Sequence, residues 1–125
     1  MDAIKGCILV VEDDTSLRGL IVCALEEEGY CVLSAMDGRE ALKMLRLVKY
    51  CVVLLDITLP DLTGTEVVKW INDMEITSPV ILMTGHTQGQ HLAAELDVAG
   101  YLPKPFELHE LFAAVEGCIK QPVPV

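Results

Sequence analysis

Five short apolar runs, each followed by a stretch with helical period, constrain this chain more than any other feature. Cys7-Ile8-Leu9-Val10-Val11 carries no polar side chain, as a strand buried on both faces requires. Behind it, Leu17, Leu20, Ile21, Ala24 and Leu25 follow the stripe of a helix lying on a sheet. Gly29 stands where a left-handed cap would end that helix. Cys31-Val32-Leu33-Ser34-Ala35 reads as the second strand, and Asp37 with Glu40 has capping-box spacing ahead of Ala41, Leu42 and Leu45. Cys51-Val52-Val53-Leu54-Leu55 is the third apolar run. Pro60 and Gly64 mark the loop beyond it, and Thr63 with Glu66 can cap a third helix carrying Val67, Trp70, Ile71 and Met74. A fourth strand is expected over Pro79 to Met83, a weaker helix over Gln90 to Leu96, and a short fifth strand at Gly100-Tyr101-Leu102. Leu108, Leu111, Phe112, Val115, Cys118 and Ile119 give the last helix the clearest stripe. Five βα units with apolar strands mean an α/β fold, a parallel sheet covered by helices on both faces.

Composition narrows the function. A chain of 125 residues holds one domain, expected over 1–120, and leaves no room for a second or for a repeat array. Residues 121–125 form a Pro-rich tail, either a natural end or the start of a linker. Hydrophobic residues at 52% and charged residues at 22% make a globular balance that excludes disorder. Lys and Arg number 9 against 19 Asp and Glu, a net charge of −10, which argues against nucleic acid as a direct partner. No apolar run approaches the roughly 18–20 residues of a membrane span. The first residues lack signal-peptide architecture, so a cytoplasmic location is expected. The five cysteines, Cys7, Cys23, Cys31, Cys51 and Cys118, include no Cys-x-x-Cys pair. Redox sensing or metal binding would be their functional reading, but His86, His91 and His109 are scattered and supply no zinc spacing. Four of the five lie in apolar stretches, and all are read as small structural side chains in a reducing compartment.

Ligands of an open parallel sheet bind beyond the carboxyl ends of its strands, and polar residues gather there. The first strand runs into Glu12-Asp13-Asp14, the third into Asp56, the fourth into Thr84, and Lys104-Pro105 lies just past the fifth. Each has an ordinary explanation alone: the acidic run can precap a helix, Asp56 and Thr84 can start turns, and Lys104 can be a solvated surface lysine. Their convergence changes the weighing. Carboxylates clustered at one edge repel by roughly 4 kcal/mol per pair at 4 Å and an effective dielectric of 20, which a cation and a lysine at the centre relieve. An all-oxygen set of high charge suits Mg²⁺ or Mn²⁺. A carboxylate beside such an ion, a hydroxyl and a lysine can hold a phosphoryl group covalently.

These motifs resemble the response-regulator receiver domain of two-component signalling over about Ile8 to Ile119. Val10-Val11-Glu12-Asp13-Asp14, Leu54-Leu55-Asp56 with Pro60 and Gly64, Thr84-Gly85, and Tyr101-Leu102-Pro103-Lys104-Pro105-Phe106 carry the likeness. Any one is weak; all four in this order on five βα units are specific. The resemblance implies a flavodoxin-like sheet of strand order 2-1-3-4-5 and Asp56 as phosphoacceptor. Asp13 would bind the metal directly, Glu12 through water, and the backbone carbonyl of Thr58 would join Asp56 to complete the protein's ligands. Lys104 would bond the phosphoryl oxygen, and its peptide bond to Pro105 would be cis. Thr84 and Tyr101 would be the switch residues. A histidine kinase or histidine phosphotransfer domain would supply the phosphoryl group. A downstream output domain or docking partner would read the surface of the fourth helix, fifth strand and fifth helix, and a homodimer through that face is compatible with the likeness.

Two features depart from the family's usual pattern. The segment from Thr84 to Lys104 is a couple of residues short, so a short, displaced or mobile fourth helix is expected. Thr58 and His86 stand at the two variable positions flanking the phosphoryl group and are expected to tune its lifetime. Three other readings compete. A haloacid-dehalogenase-like phosphatase would want a second Asp where Thr58 stands, and room for a cap domain. A flavodoxin-like FMN protein needs a hydroxyl- and Gly-rich loop where Glu12-Asp13-Asp14 would repel phosphate. A pseudo-receiver would keep the fold without phosphorylation, against the intact set of Glu12, Asp13, Asp56, Thr84 and Lys104.

Overall fold

The apolar runs pair as expected. A computed structural model describes residues 6–85 and 89–119; His86 and the 121–125 tail lie outside these. The chain order is β1 (Cys7–Val11), α1 (Thr15–Glu27), β2 (Cys31–Ala35), α2 (Gly38–Leu47), β3 (Val52–Asp56), α3 (Gly64–Asp73), β4 (Val80–Thr84), α4 (Gly89–Leu96), β5 (Gly100–Pro103) and α5 (Leu108–Ile119). The strands form one parallel sheet in the order β2-β1-β3-β4-β5.

Alternation along each strand divides the core in two. Ile8, Val10, Val52, Leu54, Ile81 and Met83 face one side, where Ile21 and Leu25 of α1 and Leu111 and Val115 of α5 cover them. Leu9, Val11, Val53, Leu55 and Leu82 face the other, under Ala41 and Leu45 of α2, Val67, Val68 and Ile71 of α3, and Ala93 of α4. The central strands are buried on both faces, which explains why their sequence shows no alternation.

β3 and β4 begin and end one residue later than their apolar runs suggest. Pro79 has no N–H to give a ladder and instead accepts from Val53 N at 2.8 Å. The ladder then runs on through Asp56 opposite Met83, so Asp56 and Thr84 are the last residues of their strands. Two expected core positions also sit outside the core: Leu20 is 53% and Trp70 47% exposed. Each stands one residue from a fully packed neighbour, Ile21 or Ile71, and a step of about 100° around a helix turns it onto the flank.

The helix ends follow the capping residues. Asp37 Oδ1 accepts Glu40 N at 2.8 Å, and Thr63 with Glu66 forms a reciprocal capping box at α3. Gly29 adopts φ +100° after α1. α4 spans eight described residues, and Asp97 at φ +55° follows its end, before Ala99 N reaches Val80 O at 2.9 Å. Gly19, inside α1, has nothing within 4 Å of where a Cβ would stand. Gly19→Ala is therefore expected to raise stability by about 0.5–1 kcal/mol, read as a higher urea midpoint at unchanged slope.

Candidate functional site

The carboxyl ends of β1 and β3 are neighbours because β1 pairs directly with β3. That pairing sets the acidic residues after β1 beside Asp56. Carboxylate oxygens of Glu12, Asp13 and Asp56 all lie within 4.8 Å of one another. Glu12 is 1% exposed and Asp56 5%, whereas Asp13 is open to solvent. Lys104 closes the cluster from the loop after β5: its Nζ lies 2.6 Å from Glu12 Oε1 and 3.5 Å from Asp56 Oδ2. Three carboxylates and one ammonium leave a local excess of negative charge, with one face of the cluster exposed.

The protonation balance shows the strain of that excess. Burial pushes the Glu12 carboxyl up to about 7, and the Asp56 charge adds to the rise, while the Lys104 bond and the Asp14 N–H pull against it. Burial acts on Lys104 in the opposite sense, but Glu12 and Asp56 outweigh it and hold the ammonium above its usual range. A bound cation would supply the charge that this oxygen set lacks, and Glu12, Asp13 and Asp56 are placed to hold one; an all-oxygen donor set suits a hard ion such as Mg²⁺ or Mn²⁺.

Local structure fixes each side chain. Asp14 caps α1, its Oδ1 accepting Leu17 N at 3.0 Å, so it serves the helix and leaves the site to its two predecessors. Thr58 N donates to Asp56 Oδ1 at 3.1 Å, which orients the carboxylate; the Thr58 side chain is exposed. The turn after Asp56 is held by Gly64 N donating to Ile57 O at 2.7 Å and by a bridge between Thr58 and Thr63. Thr84, 2% exposed, ends β4 next to Asp56, and its carbonyl accepts Lys104 N at 2.7 Å. The Lys104–Pro105 peptide bond is cis. Tyr101 stands apart from the carboxylates: half-buried, it packs toward the α4 side of the sheet. A Cβ on Gly89 would stand 2.1 Å from Thr84 Cγ2 and 2.6 Å from Tyr101 Cε2, so only glycine lets α4 start this close to both. His91 is exposed, 3.1 Å from Glu95, and His109 is exposed as well; neither belongs to the site.

Two supporting residues escaped the sequence reading. Arg18 Nη1 donates to the Glu12 carbonyl at 2.8 Å and reaches the Asp13 carbonyl at 3.4 Å, bracing the backbone of the acidic pair. Asp61 accepts Gly38 N at 2.8 Å and Arg39 N at 3.0 Å, tying the loop after Asp56 to the start of α2. These amide bonds outweigh the effect of burial and lower the Asp61 carboxyl. Arg18 could have been found as a cation one turn into a helix that follows an acidic loop. Asp61 gave no comparable signal, because its partners lie 22 and 23 residues away.

A parallel five-stranded α/β domain with an acid cluster and a lysine at its carboxyl edge defines a class of signalling domain. The model of the response regulator receiver domain matches residues 8–116, and the chain belongs to that family. The uncharacterized transcriptional regulatory protein YkoG of Bacillus subtilis is 36% identical over 119 residues, covering 94% of this chain and 52% of its own. The chain thus spans about half the length of the curated relatives it matches. Among solved structures, the chemotaxis response regulator CheY4 of Vibrio cholerae superposes with a TM-score of 0.85 at 28% identity, covering 93% of this chain and 99% of its own. The response regulator TrrA of Thermotoga maritima, solved in complex with Mg²⁺ and BeF, gives 0.82 at 33% identity, with 90% and 97% covered. Among the described residues, no helix is long and apolar enough to cross a membrane.

Proposed function

We propose that this domain accepts a phosphoryl group on Asp56 from a phosphohistidine and passes the change to a partner or output domain. The observation that carries the reading is the buried Asp56 carboxylate in a group of three, with the Lys104 ammonium 3.5 Å away. A divalent ion held by Glu12, Asp13, Asp56 and the Thr58 carbonyl would offset charge on the phosphoryl oxygens. An Asp56 oxygen attacks phosphorus in line, the O–P bond forms, and the P–N bond to the donor imidazole breaks. Lys104 holds a phosphoryl oxygen, and the Thr84 hydroxyl donates to another. Water later attacks the phosphoryl group and returns Asp56 to its carboxylate, with Thr58 and His86 setting access and so the lifetime. The domain is a signalling phosphoacceptor rather than a metabolic enzyme.

The partner is a histidine kinase or histidine phosphotransfer domain in the cytoplasm. An open apolar cleft lined by Leu17, Leu20, Phe106 and Leu108 runs beside Lys104, a surface a protein donor can bury while reaching Asp56. Thr84 and Tyr101 share the Gly89 contact, so a movement of Thr84 toward a phosphoryl group frees or compresses Tyr101 beneath α4. That coupling would shift the population of two packings of the α4–β5–α5 face. The related transcriptional regulatory proteins make a DNA-binding output one candidate reader, joined beyond this domain.

Incubation with Mg²⁺ and acetyl phosphate, followed by intact-mass measurement, tests the reading. One phosphoryl group is expected, located on Asp56, and none when the metal is chelated throughout. No adduct together with no Mg²⁺-dependent retention of beryllofluoride would overturn the phosphoacceptor reading and leave an interaction domain that keeps only the fold.

A further inference from the structure

The end of the sheet opposite the carboxylates gathers cysteines that the phosphoacceptor reading does not use. Cys7 opens β1 and Cys31 opens β2, and the two are direct partners in the parallel register. Parallel neighbours stand about 4.8 Å apart, inside the roughly 4.4–6.8 Å window between Cα atoms that a disulfide spans. Registered residues of adjacent strands project to the same face. The two thiols therefore stand side by side on one face of the sheet. Both are free, and both are half-buried rather than sealed. β2 is an edge strand, so a small solute meets no further strand on that side.

We propose that Cys7 and Cys31 are a thiol-oxidation site that closes to a reversible disulfide on exposure to a small peroxide. One sulfur, as thiolate, attacks a peroxide oxygen; the O–O bond breaks, and hydroxide leaves with the thiol proton as water. The sulfenic acid so formed is attacked by the second sulfur; the S–S bond forms, the S–O bond breaks, and a second water leaves. Two thiols together give up the two electrons that reduce the peroxide. A dithiol reductant returns both electrons by thiol–disulfide exchange.

The fold also decides which pair forms. Cys51, beside β1 at the same end, turns to the other face of the sheet, where it and Cys118 pack against the α1 and α5 core; Cys7 packs with the α2 and α3 core. The sheet therefore separates Cys51 and Cys118 from the Cys7–Cys31 pair. Cys23 is exposed on α1, its sulfur 3.9 Å from Glu27 Oε1, and has no cysteine in register. The neighbouring Cys7 thiol, with burial second, raises the Cys31 thiol above its usual range, so closure is expected to quicken as pH rises.

The test is independent of phosphorylation. The reduced wild-type protein is treated with hydrogen peroxide, quenched with N-ethylmaleimide, and digested at glutamate, which places Cys7, Cys23, Cys31 and Cys51 on separate peptides. The expected product is a Cys7–Cys31 cross-linked peptide, two hydrogens lighter than the sum of its parts and opened by dithiothreitol, with Cys51 and Cys118 alkylated. In Cys31→Ser, whose folding is checked by circular dichroism, Cys7 is expected to stop at sulfenic or higher acids without a cross-link. Recovery of both cysteines alkylated while Cys23 alone is oxidised would overturn the proposal. So would a dominant pairing of Cys7 or Cys31 with any other thiol, or between two chains.

Discussion

Asp56→Asn protein is expected to take up no phosphoryl group from acetyl phosphate and Mg²⁺ and, without divalent cation, to be more stable than the wild type. The first outcome follows from the nucleophile: an amide oxygen forms no stable acyl phosphate under these conditions. The second follows from charge. Asp56 sits within 4.8 Å of two other carboxylates and 3.5 Å from a single ammonium. Neutralising it removes two repulsions and one attraction, and the balance is one repulsive pair in a partly buried setting. At the effective dielectric of such a site a net gain of about 1–3 kcal/mol is expected. Urea unfolding in EDTA measures it, and addition of Mg²⁺ should stabilise the wild type more than the variant. A variant that lost stability in EDTA would mean that the Lys104 pair, and not repulsion among the carboxylates, dominates the site.

Gly64→Ala, at the first residue of α3, should be strongly damaging because the added methyl meets only backbone. A Cβ there would stand 2.7 Å from Ile57 Cα and 3.3 Å from the carbonyl oxygens of Asp56 and Ile57. All three obstacles are backbone, at and just after the strand end that carries Asp56, so no side chain can rotate out of the way. The Gly64 N–H to Ile57 carbonyl bond at 2.7 Å must lengthen or break. Overpacking of this kind costs about 1–3 kcal/mol, and the moved strand end also shifts Asp56 away from Glu12 and Asp13. Both a lower urea midpoint and a weaker Mg²⁺ affinity are expected, the latter read by titration of protein that is still folded. Gly19→Ala, the same added methyl in open space, serves as the matched comparison; equal stabilities for the two variants would remove the steric argument.

The site was legible in the sequence to the extent that its residues terminate apolar runs. Glu12-Asp13, Asp56, Thr84 and Lys104 each end or follow a strand of a parallel sheet, and every such end points to the same edge. The residues that escaped notice act across the fold. Asp61 caps α2 from the loop after β3, and Arg18 braces the Glu12 carbonyl from the first turns of α1. Leu20 and Trp70 lie on the flank and not in the core for a related reason. A helical stripe specifies a broad apolar arc, and the neighbouring helices and sheet decide which of its edges is covered.

The cysteines mark the boundary most clearly. Composition and spacing present five unpaired thiols, and nothing in their order along the chain distinguishes Cys31 from Cys51 as a partner for Cys7. Sequence by itself determined the α/β class, the parallel sheet and the edge at which charge collects, because apolar continuity, helical period and capping are local properties of the chain. The tertiary structure alone decided the 2.6 Å bond between Lys104 and Glu12, the close seat of α4 at Gly89, and the pairing of Cys7 with Cys31. Each of these depends on strand neighbours and register, which are set by burying both faces of the whole sheet at once and not by any segment of it.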